Sequence, residues 1–137
     1  ENQLLEPDGT TLGDIVQTKD GKAPTIVGIA PGQTVRQALR LMDQHDVSQL
    51  PVMDGSSCVG SVSDWSLSAR SLENTKLLDA SVSEMMDAPF PVVDGVQPVD
   101  VVAKLLTKSN PAVLVRENGT VTGIVTRSDM LHYLMAR

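Results

Sequence analysis

The sequence predicts a mixed α/β (α+β) fold in which two β-α-β-β-α repeats pack sheet to sheet with pseudo-two-fold symmetry. Three observations support this prediction: similar segments recur at a fixed spacing, each copy contains the same series of elements, and the composition suits a compact domain. The chain has 137 residues, of which 41% are hydrophobic and 20% charged. It can therefore bury a core, and because aromatic residues are scarce that core must be aliphatic.

A spacing of 63 residues (60 to 123) relates the two copies. The aligned features, first copy to second, are Gly60–Leu67 with Gly123–Met130, Gly32 with Gly95, Val52 with Val115, and Ala38, Leu39 and Met42 with Val101, Val102 and Leu105. Recurrence of several features at one spacing indicates an internal duplication.

Each copy begins with a short apolar segment that precedes a helix. The predicted first strands are Thr25–Ile29 and Pro91–Val93. In the first copy, Thr34 and Gln37 have the spacing of a capping box, which marks a helix start. In the second copy, Pro98 suits the first helical position and Asp100 complements the helix dipole in the first turn.

A hairpin and a second helix complete each copy. Asp54-Gly55 and Asn118-Gly119 supply the positive φ angles that tight hairpin turns require. The flanking strands are predicted at Leu50–Met53 and Cys58–Val62 in the first copy, and at Ala112–Val115 and Thr120–Val125 in the second. The closing helix is clearest at Met130, Leu131, Leu134 and Met135.

The duplication divides the chain into four parts. We expect an N-terminal segment at 1–23, a first repeat at 24–70, a connecting segment at 71–81 and a second repeat at 82–137. A unit of about 60 residues buries too little surface to be secure alone. We therefore expect the two repeats to share a core, and a cleft between them would be a natural ligand site.

Charge and composition argue against several classes of partner. A net charge of −6 disfavours nucleic acid, since phosphate backbones are held by clustered Lys and Arg. No apolar run approaches the roughly 20 residues that span a bilayer, and no signal-peptide pattern is present, so we expect no membrane partner. The single cysteine, Cys58, forbids an internal disulfide and fits a cytoplasmic location.

The sequence shows no constellation typical of an enzyme. It has no nucleophile–base pair, no metal cluster and no phosphate-cradling glycine-rich loop. Cys58 lies in a predicted strand and suits a structural thiol, while His45 and His132 lack metal-ligand spacing. We therefore expect no catalytic residues, no catalytic cofactor and no metal.

The doubled pattern resembles the CBS domains (cystathionine β-synthase domains), which occur as tandem pairs called Bateman modules. The resemblance rests on two motifs, Leu50-Pro51-Val52 and Gly123–Asp129. The second motif consists of a glycine, two apolar residues, a threonine, two further residues and an aspartate. It covers about residues 12–137. The opening Thr11–Val16 looks like the linker that enters the regulatory region of cystathionine β-synthase itself, so a C-terminal regulatory region of such an enzyme is one candidate parent.

The resemblance implies a regulatory module. Its ligand would be an adenosine-containing compound, namely AMP, ADP, ATP or S-adenosylmethionine, bound in the cleft between the repeats. Binding would control an attached or partner protein, such as cystathionine β-synthase. Family members commonly associate through their helices, so the resemblance also implies a homodimer. The alternative from another class is a structural dimerisation module that binds no ligand.

By the same resemblance, Thr126 and Asp129 would be the main ligand contacts. A carboxylate can accept hydrogen bonds from both ribose hydroxyls, and Thr126 would face a phosphate or another polar group. The alternative is plain N-capping of a helix, and the two roles can coexist. In the first copy Ser63 matches Thr126, but Ser66 stands in place of Asp129. This second site is therefore expected to be degenerate, which leaves one good site per chain.

The remaining predicted contacts are less distinctive in sequence. By family analogy, adenine would lie near Phe90, Val92, Val93 and Ile124, for which ordinary core packing is the alternative. Ser48-Gln49 would reach the far end of the ligand, where the lack of a basic residue disfavours a triphosphate and favours AMP or S-adenosylmethionine. Arg127 and Lys108 could supply positive charge, and Trp65 either fills the altered cleft or lies on the surface.

Overall fold

The structure, a computed structural model, describes residues 11–18, 26–107 and 110–135. The helices are α1 (Leu12–Thr18), α2 (Val35–His45), α3 (Asp64–Glu73), α4 (Val99–Ala103) and α5 (Arg127–Met135). The strands are β1 (Gln49–Asp54), β2 (Ser57–Ser63), β3 (Val92–Asp94), β4 (Ala112–Glu117) and β5 (Thr120–Thr126). Two short 3₁₀ helices, Thr75–Asp79 and Val82–Glu84, follow α3. The mixed α+β class predicted from the sequence is confirmed.

The chain forms two compact units whose limits differ from the repeat boundaries read off the sequence. The first unit is Val27–Phe90, and the second combines the described residues before Val27 with those from Pro91 onward. Val82 and Met85 are buried in the core of the first unit. Helix α1 packs on β4 and β5 in the second unit. Each copy of the repeat is therefore completed by residues that lie outside it in sequence.

The first unit is built on the β1–β2 antiparallel hairpin and helices α2 and α3. Thr34 and Gln37 form both halves of the predicted capping box at the start of α2. Only Ile29 of the predicted first strand pairs with the hairpin, through a single parallel bridge to Val52, and Thr25 lies outside the described residues. The core residues are Ile29, Val35, Ala38, Met42, Leu50, Val52, Val62, Leu67, Val82 and Met85.

The second unit has a three-stranded sheet in the order β3-β4-β5. Strand β3 runs parallel to β4, and β4 runs antiparallel to β5. Asp100 lies in the first turn of α4 as predicted, whereas Pro98 is the N-cap and not the first helical residue. The core residues are Leu12, Ile15, Val99, Val102, Val113, Val115, Val125 and Met130.

The two hairpin turns use their glycines differently. In the second unit Asn118 (φ 53°) and Gly119 (φ 78°) are the two central residues and both have positive φ, as predicted. In the first unit Asp54 pairs with Ser57, so the central residues are Gly55 and Ser56. Gly55 has a φ of 63°, whereas Asp54 ends the strand and does not adopt the positive φ that the sequence suggested.

The spacing of 63 residues holds for the hairpins and for the helices that follow them, since Gln49 pairs with Ser63 as Ala112 pairs with Thr126. It does not hold for α2 and α4, whose caps Thr34 and Pro98 are 64 positions apart (34 to 98). The buried residues follow the same shift: Val35 and Ala38 in α2 correspond to Val99 and Val102 in α4. The alignments of Gly32 with Gly95 and of Ala38 with Val101 are therefore wrong by one residue. The segment from helix to hairpin is one residue shorter in the second copy.

No helix among the described residues is long and apolar enough to cross a membrane.

Candidate functional site

The start of helix α5 carries a reciprocal hydrogen-bonded pair. The Thr126 backbone N–H donates to Asp129 Oδ2 at 2.8 Å, and the Thr126 hydroxyl lies 3.1 Å from the same oxygen. In return, the Asp129 backbone N–H donates to Thr126 Oγ1 at 3.1 Å. Both residues are half-buried. The pair is thus a capping box, and the capping role that the sequence left open is present in the structure.

The main chain fixes where this pair stands. Thr126 ends β5, where it pairs with Ala112, and the Arg127 N–H donates to the Pro111 carbonyl oxygen at 3.2 Å. The hydroxyl and carboxylate are therefore held at a sheet edge, beside the first backbone N–H groups of α5. Helix N-termini favour negatively charged or strongly accepting groups, because their N–H groups lack partners in the helix.

Two of the expected apolar contacts lie in one cross-strand row. Val92 pairs with Leu114, and Leu114 pairs with Ile124 two residues before Thr126. Side chains two apart in a strand share a face, so Ile124 and Thr126 point to the same side of the sheet. Leu114 was not predicted as a site residue, because only the register of β4 against β5 places it beside Ile124.

Val93 and Phe90 are placed differently from Val92. Val93 packs against the core of the second unit, so it lies on the opposite face of β3 from Val92 and has the core role that was its alternative. Phe90 is buried and belongs to the first unit, where it is the last residue.

The remaining predicted polar contacts lie where an element begins, Arg127 at the start of α5 and Ser48 and Gln49 at the start of β1. Arg127 is exposed at the first position of α5. In the first unit Ser48 is exposed and its carbonyl oxygen accepts from the Asp64 N–H at 2.9 Å, while Gln49 is half-buried at the start of β1. Lys108, the other predicted cation, lies outside the described residues.

The corresponding position in the first unit is a simpler cap. Ser63 is the N-cap of α3, and its hydroxyl accepts from the Ser66 N–H at 3.2 Å. In the second unit the N-cap backbone N–H donates to the Asp129 carboxylate. Ser66 has no carboxylate, so it offers no equivalent acceptor in the first unit. The two helix starts thus share their position in the repeat and differ in one functional group.

Comparison with known proteins identifies the doubled unit. A family model described as CBS domain matches residues 22–73 and 82–136. Among solved structures, a protein with CBS domains from Burkholderia ambifaria superposes with a TM-score of 0.81 at 24% identity, covering 93% of this chain and 95% of that one.

Two other similar structures contain ligands. The CBS-pair protein CBSX2 of Arabidopsis thaliana, in complex with AMP, has a TM-score of 0.73 at 26% identity and covers 93% of this chain and 98% of that one. The CBS domain pair of protein MJ0100, in complex with 5′-methylthioadenosine and S-adenosyl-L-methionine, has a TM-score of 0.71 at 23% identity, with coverages of 93% and 97%.

A curated relative is longer than the chain. An uncharacterised protein of Methanocaldococcus jannaschii is 27% identical over 111 residues, which are 80% of this chain. The match covers only 36% of that relative's own length.

Proposed function

The chain belongs to the CBS domain family, and we propose that within it the chain is a regulatory module that binds an adenosine-containing ligand. The observation that carries this proposal is the Thr126–Asp129 pair, a hydroxyl and a carboxylate held together at the start of α5. Support for the ligand class comes from CBSX2, which binds AMP, and from MJ0100, which binds S-adenosyl-L-methionine and 5′-methylthioadenosine.

In this proposal Asp129 binds the ribose. A carboxylate offers about four acceptor sites on its two oxygens, so the bonds that Asp129 Oδ2 accepts within the cap are compatible with further bonds from ribose hydroxyls. Thr126 and the first N–H groups of α5 would bind the phosphate of AMP or the polar end of another ligand. Ile124 and Val92, in the row beside Thr126, would contact the adenine.

We further propose one such site per chain. Ser66 cannot bridge two ribose hydroxyls as a carboxylate does, so the start of α3 lacks the group that the proposal relies on. AMP and S-adenosylmethionine are favoured over ATP, because these compounds are present in the complexes of CBSX2 and MJ0100. The regulated protein would be attached to the chain or bound by it, with a cystathionine β-synthase-like enzyme as one candidate.

The test is calorimetric titration of the purified chain with AMP, S-adenosylmethionine and ATP, after a thermal-shift screen with the same compounds. A ligand present at 100 times its Kd stabilises the native state by about 2.7 kcal/mol, which a thermal shift detects. We expect one ligand per chain, and at least about tenfold weaker binding in Asp129→Ala, which corresponds to about 1.4 kcal/mol.

Ser66→Ala is the matched control, since it changes the equivalent position of the first unit and should leave affinity unchanged. Two equal sites per chain would overturn the single-site proposal. Full affinity in Asp129→Ala would show that Asp129 is not part of the site. Failure of every adenosyl compound to bind would overturn the proposed function.

A structural dimerisation module without ligand is the second candidate. It is favoured by the exposed apolar side chains on α5, where Leu131 is 55%, Leu134 61% and Met135 74% exposed. Isolated apolar residues on a surface are ordinary, but three within five residues of one helix suit a contact surface. This candidate predicts self-association with no response to adenosyl compounds, and the titration described above therefore separates the two functions.

A further inference from the structure

Helix α1 is an arm of the second unit that comes from an earlier part of the chain. Its Leu12 and Ile15 side chains are 0% and 5% exposed and belong to the hydrophobic core of that unit. The Leu12 N–H donates to the Gln97 carbonyl oxygen at 3.1 Å, and the Gly13 N–H donates to the Gly95 carbonyl oxygen at 2.9 Å. Side chains and main chain together therefore attach the start of α1 to the unit.

The first unit has an equivalent arm, residues 82–88. At a spacing of 70 residues (12 to 82), Val82 takes the place of Leu12 and is also 0% exposed. Met85 takes the place of Ile15 and is 4% exposed. The Val82 N–H donates at 2.7 Å to the carbonyl oxygen of the residue before the N-cap of α2, as the Leu12 N–H does before the N-cap of α4. The two arms thus attach in the same way at their start.

The arm of the first unit is also attached at its far end. Asp87 and Ser61 exchange two main-chain hydrogen bonds, at 2.8 and 3.0 Å, and the Ser61 hydroxyl donates to the Ala88 carbonyl oxygen at 2.7 Å. Between the two ends, the Arg70 guanidinium donates to the Met85 carbonyl oxygen at 3.2 Å. Release of this arm would break bonds along its whole length.

The far end of α1 is built differently. The positions that correspond to the far end of the first arm are Gln17 and Thr18, which remain helical and so do not pair with a strand. Ile124 takes the place of Ser61, and its hydrocarbon side chain cannot donate a hydrogen bond. A helix of seven residues depends on its packing for stability. Helix α1 is therefore the easier of the two arms to release.

The unit with the more easily released arm is the unit that contains the Thr126–Asp129 pair. Helix α1 shares one hydrophobic cluster with Val125 and Met130, which are neighbours of the pair in sequence. Release of α1 would uncover both side chains. The end of β5 and the first turn of α5 would then lose part of the packing that holds the pair in place.

We infer that docking of α1 on the second unit is coupled to ligand binding at the Thr126–Asp129 pair. Docked α1 supports the junction of β5 and α5, and the ligand binds best to the ordered junction. By linkage, the ligand strengthens the docking of α1 by the same factor by which docking strengthens ligand binding. This inference rests on the proposed function, and it adds how an occupied site acts on another element of the chain.

The first experiment is residue-resolved amide hydrogen exchange of the intact chain, with and without AMP, or S-adenosylmethionine if AMP does not bind. In the ligand-free chain, the Leu12 and Gly13 amides should exchange at least about fivefold faster than the Val82 and Ser83 amides, which make the equivalent bonds in the first unit. Saturating ligand should slow Leu12 and Gly13 at least about fivefold more than it slows the other two amides.

The second experiment measures the affinity for the same compound in two matched variants. Leu12→Ala should weaken binding at least about fivefold, because it favours the released arm. Val82→Ala removes an equally buried side chain from the equivalent place in the first unit, and it should change affinity less than about twofold. Leu12→Met keeps the volume of the side chain and should restore the parent affinity.

The outcomes separate this inference from the proposed function. Binding with equal affinity in Leu12→Ala and the parent chain would overturn the coupling and leave the function intact. Equal weakening by Leu12→Ala and Val82→Ala would reflect a general loss of packing and would also overturn it. If Leu12→Ala does not fold, the exchange data decide, because equal slowing of the amides in both arms overturns the coupling. Failure of both compounds to bind would overturn the proposed function and the inference with it.

Discussion

Replacing Asp129 by Ala in the ligand-free chain should destabilise the protein through the loss of a helix cap. The substitution removes the acceptor of the Thr126 backbone N–H at 2.8 Å and of the Thr126 hydroxyl at 3.1 Å. It also removes a negative charge from the first turn of α5. The Thr126 hydroxyl keeps the bond that it accepts from the backbone N–H of residue 129.

The expected cost is about 1–2 kcal/mol. Capping side chains contribute about 0.5–2 kcal/mol, and a charge in the first turn about 0.3–1 kcal/mol at exposed sites. The two contributions overlap because the same carboxylate makes both. Asp129 is half-buried, so water can replace the lost hydrogen bonds only in part. For a chain of this length, the loss lowers the midpoint of thermal unfolding by about 3–5 °C per kcal/mol.

The assay is urea unfolding followed by circular dichroism, with Asp100→Ala as the matched control. Asp100 is also in the first turn of a helix and is exposed, but the N-cap of its helix is Pro98, which makes no side-chain cap bond. We expect the control to cost less than about 0.5 kcal/mol. If Asp129→Ala unfolds at the same urea concentration as the parent chain, or if the control costs as much, the capping argument is wrong.

Three further substitutions test the packing and the repeat, each by the free energy of urea unfolding. Ser66→Asp should stabilise the first unit by about 0.5–1 kcal/mol, because it supplies a carboxylate at the capping-box position of α3, whose first turn otherwise contains only Asp64 as an acidic residue; a neutral result would contradict this. Leu67→Ala, at 1% exposure, should cost about 2–5 kcal/mol, whereas the 84% exposed Leu72→Ala should cost almost nothing. Gly60→Ala should cost about 1–3 kcal/mol, since its Cβ would meet the Met86 side chain and lie 3.0 Å from the Asp87 carbonyl oxygen; Gly32→Ala, with open space, is its control.

The hairpins were the most predictable part of the fold, because their signal is local. A turn dipeptide between two apolar runs predicts two strands at once, and both hairpins form where the sequence placed them. The first turn, however, is centred on Gly55 and Ser56, one residue later than predicted. The first strand of the first copy was less predictable. Ile29 makes one bridge to Val52, and whether an apolar segment extends a sheet depends on the rest of the unit as well as on its own residues.

The limits of the two units could not be predicted from the repeat alone. Similarity between copies shows which residues share an ancestor, whereas packing decides which residues share a core. Helix α1 precedes the first copy and yet packs with the second, and Val82 follows the first copy and completes its core. The one-residue shift between α2 and α4 was missed for a related reason, because Val101 and Val102 are adjacent and both apolar, so only burial distinguishes them.

The candidate site was predictable in its polar part and less so in its apolar part. The spacing of Thr126 and Asp129 brings them together wherever a helix begins, so their contact follows from local geometry. Family analogy assigned both Val92 and Val93 to the adenine, but neighbours in a strand face opposite sides, and Val93 packs against the core. The strand register was needed to select Val92 and to add Leu114.

Helix α5 is the element on which both proposed interactions act. Its first turn holds the carboxylate proposed for the ribose, and its outer face carries Leu131 for a second copy. A ligand can shift an equilibrium only as far as its affinity differs between the two states. A ligand bound to Asp129 would hold the start of α5 in its helical conformation, which also places the exposed Leu131 and Leu134 beside each other. Ligand binding and self-association should therefore be coupled in the same direction, each strengthening the other by an equal factor. Sedimentation equilibrium with and without AMP measures that factor, and equal association constants in the two experiments would show that the two sites are independent.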